Sequence, residues 1–186
     1  MIQVIDNALP SEFSDEIENE LLGQDFNWFL KPEVTSLNSS KPDKLLSGFN
    51  HSFVTYSNIT SPYAYKYLNV PYTVCNKLNI QIKNITQARA WLLPPSPEPG
   101  TLTNLHTDQS DRHLSLLYYV NDCDGETIFK DLYRQQPVKN TAVLFDGRIP
   151  HQVSTPSHWR SVLNFVLEFD NIDEIILTHC NLTKQS

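Results

Sequence analysis

The stretch "NLHTDQSDRHLSLLYYV" (residues 104–120) runs from a polar loop into an apolar strand, and the fold is read outward from it. In its second half Ser115, Leu117 and Tyr119 share one face by alternation, while Leu116 and Tyr118 share the other. The same character recurs on both sides. "ITQARAWLL" (85–93), "ETIF" (126–129), "TAVLFD" (141–146), "HQVS" (151–154) and "RSVLNFVLEF" (160–169) are short, β-branched or aromatic, and separated by Pro, Gly, Asn and Asp. Such a serial run of strands must hide its edges, which a closed barrel or a two-sheet jelly roll does. The expected class is mainly β, with helices from the first half packed on one side.

The polar half of the opening stretch carries chemistry. On an extended strand end, side chains i and i+2 point the same way, so His106 and Asp108 converge while Thr107 turns outward. "GRIPHQVS" (147–154) brings His151 to the start of another strand. Two imidazoles and one carboxylate with open positions suit non-haem Fe(II), and the same trio suits Zn(II) with bound water in a hydrolase. A solvated loop of turn formers is the plainer alternative. Nine residues after His151, Arg160 opens an otherwise apolar strand, where a guanidinium needs an anion. A dicarboxylate with one end on the metal would provide it through bidentate bonds; a protein carboxylate would serve as well. Tyr119 can set its hydroxyl beside Arg160, or be a core aromatic like Tyr118. On the first barrel strand Arg89 and Trp91 share a face and can reach a substrate, with a core role open for Trp91. His113 and His158 read as ordinary hydrogen-bonding or exposed histidines, and His51 and His179 have no partner in view.

Composition narrows the classes. The 186 residues fit one domain: a helical support and lid region over 1–84, a β core over 85–170 and a C-terminal tail over 171–186. Hydrophobic residues make up 40% and charged residues 19%, enough for a packed interior. A net charge of −7 disfavours a grip on nucleic-acid backbones. Cys75, Cys123 and Cys180 form no pairwise motif and read as reduced, buried or incidental thiols. With no apolar leader or run long enough to span a bilayer, the expectation is a soluble cytoplasmic protein.

In the first half, "IQVIDNAL" (2–9) reads as a strand. "PSEFSDEIENELLG" (10–23) reads as a surface helix with Phe13, Ile17 and Leu21 inward, its acidic run solvated and Gly23 at its stop. Residues 30–50 are polar and aperiodic, a long excursion suited to a lid. Residues 61–80 read as helical, and Pro71 either kinks one helix or starts a second at its first turn, with a break the expected outcome. The proline-rich 94–100 and the 30–50 excursion are the expected rim of the site.

Taken together, His106-x-Asp108, "LLYYVND", "DGETIF", "LFDGRIPH", and His151 followed by Arg160 resemble the Fe(II)- and 2-oxoglutarate-dependent oxygenases, in their prolyl 4-hydroxylase-like branch. The likeness covers about residues 85–170. It implies a double-stranded β-helix, a cupin-like jelly roll, in which His106, Asp108 and His151 ligate Fe(II) and Arg160 and Tyr119 bind the distal carboxylate of 2-oxoglutarate. It further implies hydroxylation of a C–H bond with O2, release of succinate and CO2, and ascorbate as a stimulant. Thr127 matches a motif position and is expected to pack beside the site. A tyrosine common on the first barrel strand of that branch is absent, with Trp91 or Leu93 near its place. Asn164 and Val166, on the Arg160 face, also depart from the pattern, and Asn164 joins Arg89 and Trp91 as a candidate substrate contact. By this resemblance a prolyl residue of a protein or peptide is the first candidate substrate, free amino acids or small metabolites follow, and nucleobases come last. A binding module that keeps the fold without the reaction is the remaining alternative.

Overall fold

Two β-sheets face each other in the computed structural model, which describes residues 1–32, 34 and 47–180, without the side chains of 179 and 180. In chain order the elements are β1 (Ile2–Ile5), α1 (Ser11–Leu21), β2 (Phe29–Lys31), β3 (Gly48–Thr55), β4 (Asn58–Ile59), α2 (Ala64–Tyr67) and α3 (Asn69–Lys77). They continue with β5 (Asn84–Leu93), β6 (Leu114–Tyr119), β7 (Thr127–Phe129), β8 (Tyr133–Gln135), β9 (Thr141–Asp146), β10 (His151–Val153), β11 (Arg160–Glu168) and α4 (Ile172–Cys180). The larger sheet has the order β1-β9-β6-β11-β5-β3-β2, with β4 beside β3, and the smaller is β10-β7-β8. Bridges Leu102↔Ser154 and His106↔His151 lay residues 102–106 along β10, lengthening the smaller sheet on that side.

Alternation sorts β6 between two apolar layers. Leu114, Leu116 and Tyr118 point to the helices, where Ile17, Leu21, Tyr67, Val70 and Val74 complete the main core with Ala88, Ala90, Leu163 and Phe165. Leu117 and Tyr119 point between the sheets, with Phe129, Val143, Phe145 and Val162. The helices therefore cover the outer face of the larger sheet, and its inner face is left for the site. No helix among the described residues is long and apolar enough to cross a membrane.

The first half departs from the sequence reading. Residues 30–50 do not form one excursion: Leu30 and Lys31 pair with Phe49 and Gly48 across β2 and β3, and β3 then runs beside β5. Residues 33 and 35–46 lie outside the described ones, and with them most of the expected lid. In β3 the ladder slips between Ser52 and Val54, a bulge that breaks the alternation a strand would show in sequence. The expected helix break is present, at Leu68, and Pro71 sits in the first turn of α3 as its third residue, where a proline removes an N–H that the turn leaves unpaired anyway. On α1 the fully buried side is Ser14, Ile17 and Leu21, and Phe13 is only partly covered. The acidic run is not merely solvated, since Asp15 and Glu18 pair with Lys139, and Glu16 and Glu20 with Lys66. The segment read as a tail forms α4, whose Ile175 is buried against the core; residues 181–186 lie outside the described ones. Cys75 and Cys123 are buried free thiols, Cys75 pushed up to about 12 by burial.

The turn between β9 and β10 depends on a residue without a side chain. A Cβ on Gly147 would fall within the imidazole of His113, which is 1% exposed and whose Nδ1–H donates to Asp111 O at 2.6 Å. Gly147→Ala therefore has to expel or tilt that ring, an overpacking that costs about 1–3 kcal/mol. For a chain of this size the midpoint of thermal unfolding falls by roughly 2–4 °C per kcal/mol. Calorimetry showing an unchanged midpoint would mean that the turn relaxes freely.

Candidate active site

His106, Asp108 and His151 each offer a ligand atom, and these atoms all lie within 4.8 Å of one another. The backbone does the gathering. His106 N–H donates to His151 O and His151 N–H to His106 O, both at 2.9 Å, so the two residues face each other and their rings lie 4.5 Å apart. His106 Nδ1–H donates to Asn104 O (3.3 Å) and His151 Nδ1–H to Ile149 O (3.2 Å). That leaves each Nε2 with a free lone pair, the arrangement a metal-ligating imidazole needs. Burial holds His151 below its ordinary pKa, against the opposing pull of Asp108, so the ring is neutral.

Asp108 is supported from the larger sheet. Ser115 Oγ–H and Asn164 Nδ2–H (3.4 Å) both donate to its Oδ2. Burial alone would raise its carboxyl, but His151, the Ser115 bond, His106 and Asn164 outweigh that and hold it below the usual range. One anionic carboxylate and two imidazoles on a shared volume are a donor set fit for a divalent cation. The chemistry of the trio therefore fits the ferrous ion that the sequence resemblance implies.

The trio borders a cavity of about 210 Å³ whose wall includes Arg89, Trp91, Leu117, Thr127, Arg160 and Asn164. Arg160, 3% exposed, donates from Nε to Gly125 O (2.8 Å) and from Nη2 to Thr127 Oγ1 (2.9 Å). Its guanidinium lies 5.8 Å from the Tyr119 ring centroid. Burial pushes Arg160 below its ordinary value, with Tyr119 and Cys123 opposing, and no carboxylate among the described residues pairs with it. Gly125 makes room: a Cβ there would stand 3.0 Å from Arg160 Cδ and from Ser154 O.

Tyr119 and Thr127 meet beside Arg160. Tyr119 is fully buried, is not among the cavity-lining side chains, and donates its hydroxyl to Thr127 Oγ1 at 2.9 Å. Thr127 does more than pack, because its Oγ1 accepts from both Tyr119 and Arg160 while its side chain faces the cavity. Burial pushes Tyr119 up to about 12, so it stays a donor. The signal in sequence was Thr127's place in "GETIF"; its two donors are not adjacent to it in the chain.

The remaining candidates divide. Arg89 and Trp91 both line the cavity, and Trp91 also packs on the inner apolar layer, so both of its readings hold in part. Asn164 lines the cavity and supports Asp108. None of residues 94–100 lines it; that connection is tied back by Ser96 N–H to Pro156 O and Gly100 N–H to Thr155 O, each at 2.8 Å. His113 is buried and hydrogen-bonded, and His158 is exposed. His51 does have partners: it bonds Asn27 O (2.6 Å) and Ser61 Oγ (2.8 Å) within a cluster of Phe26, Phe53 and Tyr63. The His179 side chain lies outside the described residues.

No protein-family model and no curated sequence matches the chain. Solved structures do. A prolyl hydroxylase from Trichoplax adhaerens, in complex with a hypoxia inducible factor oxygen degradation domain peptide fragment, superposes with a TM-score of 0.65 at 19% identity, over 94% of this chain and 86% of that one. A Pseudomonas putida prolyl-4-hydroxylase gives 0.57 at 16% identity, over 90% and 92%. An oxidoreductase of the 2OG-Fe(II) oxygenase family from Burkholderia pseudomallei gives 0.66 at 11%, over 90% and 84%. At these identities it is the architecture that is shared. The chain has the jelly-roll fold of the 2-oxoglutarate- and Fe(II)-dependent oxygenases, most of its length matching prolyl hydroxylases among them.

Proposed function

We propose that the chain is an Fe(II)- and 2-oxoglutarate-dependent dioxygenase that hydroxylates a C–H bond, with a prolyl residue of a protein or peptide as its first candidate substrate. One observation carries this reading: a His-Asp-His trio borders a cavity that also holds a buried guanidinium without a carboxylate among the described residues. A hydrolase would need the trio and would have no use for Arg160. The peptide class is favoured by the Trichoplax neighbour, which holds a peptide fragment.

In this scheme one oxygen atom of O2 enters the substrate C–H bond and the other enters succinate, while the first carboxyl carbon of 2-oxoglutarate leaves as CO2. His106, Asp108 and His151 would hold the ion, which when bound would supply open coordination positions and relay electrons to O2, the net electrons coming from 2-oxoglutarate and the substrate C–H bond. Arg160 and the Thr127 hydroxyl would receive the distal carboxylate. Tyr119 is then a positioning residue, fixing Thr127 from behind. Leu117, Val162 and Trp91 give the space between these ends an apolar wall that excludes water.

The test is spectroscopic. Under anaerobic conditions the protein with Fe(II) and 2-oxoglutarate develops a weak metal-to-ligand charge-transfer band in the visible. A flat spectrum with both demonstrably bound would overturn the reading.

A further inference from the structure

We propose that Arg89 selects the substrate by receiving a carboxylate that the substrate carries close to the carbon to be oxidised. The inference rests on the oxygenase reading and adds the chemical class of the molecule that enters.

Arg89 lies mid-strand on β5 and lines the cavity with Asp108 and Asn164. Its Nε is buried and has no hydrogen-bond partner, and no ion pair with it is formed among the described residues. Among the described residues the nearby carboxylate is Asp108, which attracts it electrostatically, but Asp108 Oδ2 is already held by Ser115 and Asn164. Along the described cavity wall two guanidinium groups, Arg89 and Arg160, thus face a single carboxylate that belongs to the metal trio. Arg89 as a whole is only partly buried, yet a buried N–H left without an acceptor is costly. A ligand anion removes that cost.

The ladder puts the two cations at different ends. Arg160 pairs with Leu93 across β11 and β5, and Asn164 pairs with Arg89. Four residues separate these rungs, about 13 Å along the strands at the usual rise per residue. The Asn164 rung is also the one that touches Asp108. Arg160 therefore serves an anion reaching away from the trio, and Arg89 one that arrives beside it. The substrate's carboxylate has two possible sources, the free α-carboxyl of an amino acid or an acidic side chain next to a peptidyl proline.

Magnetic resonance of the Arg89 Nε–H separates them in metal-loaded protein saturated with 2-oxoglutarate. The probes are L-proline against L-prolinamide, and a blocked Asp-Pro peptide against its Asn-Pro twin. The expected result is a saturable shift with the carboxylate member of at least one pair. That member should bind about 10- to 100-fold more tightly than its amide, as one charge-assisted contact gives. R89Q abolishes that discrimination and leaves 2-oxoglutarate affinity within about twofold, the scale on which a site lacking direct contact is unaffected. Equal binding of acid and amide, no response from either pair, or discrimination that survives in R89Q overturns the proposal. So does a shift saturated by 2-oxoglutarate alone, which would make Arg89 a cosubstrate contact. If wild-type protein fails to bind 2-oxoglutarate, the oxygenase reading falls first, and that failure is read separately before any probe is added.

Discussion

Asp108→Ala reduces succinate formation to background while the chain still folds. The substitution removes the only carboxylate of the trio and with it the charge that offsets a divalent cation, so the site loses its ion before any step can begin. The structural effect is smaller. Ser115, fully buried, and Asn164 both lose their acceptor, at about 1–3 kcal/mol for a buried group left unpaired. Part of this is offset because a carboxylate no longer has to be desolvated. A drop of a few degrees in unfolding midpoint is expected, at roughly 2–4 °C per kcal/mol. Asp108→Asn separates the effects, since it keeps an acceptor for Ser115 and Asn164 but not the charge, and it is equally inactive. Coupled succinate and circular-dichroism measurements check this; undiminished turnover from folded Asp108→Ala protein would remove Asp108 from the ligand set.

Arg160→Ala weakens 2-oxoglutarate by about 2–5 kcal/mol, the usual result of truncating one partner of a buried charge pair. In dissociation constants this is on the order of 30-fold to several thousand-fold. Without ligand the consequences oppose each other. Gly125 O and Thr127 Oγ1 each lose the Arg160 donor, with Thr127 Oγ1 keeping that of Tyr119, but a guanidinium that burial disfavours is also gone. The ligand-free midpoint therefore moves little while cosubstrate affinity collapses, a split that a merely structural arginine would not produce. Arg160→Lys falls between, because an ammonium keeps the charge but cannot fork to Gly125 O, Thr127 Oγ1 and a carboxylate together. Calorimetric titration of 2-oxoglutarate into metal-loaded protein decides the matter, and unaltered affinity would move the anion site elsewhere.

What could be read from the chain follows from where its order is local. On β6 the alternation of Leu116 and Tyr118 against Leu117 and Tyr119 predicts the two layers they join. The spacing of His106 and Asp108 is local too, and His151 stands at a turn that punctuates the sequence. β3 escaped because its bulge at Phe53 and the buried polar side chains of Asn50 and His51 hide the strand period. The role of Thr127 escaped because an oxygen that accepts from residues 8 and 33 positions away leaves no local pattern. Arg89 shows the same limit: alternation places it on the Trp91 face, but only the assembled cavity reveals that its Nε goes unanswered.

The reciprocal backbone bonds between His106 and His151 govern what an arriving ion has to organise. Both imidazoles are anchored by main-chain geometry before any metal is present, so capture does not have to freeze two wandering loops, a conformational entropy of about 1–2 kcal/mol for each residue fixed. Stripping the ion and restoring it should then resemble emptying and refilling a rigid socket, in contrast to small metal-dependent domains that unravel on chelation.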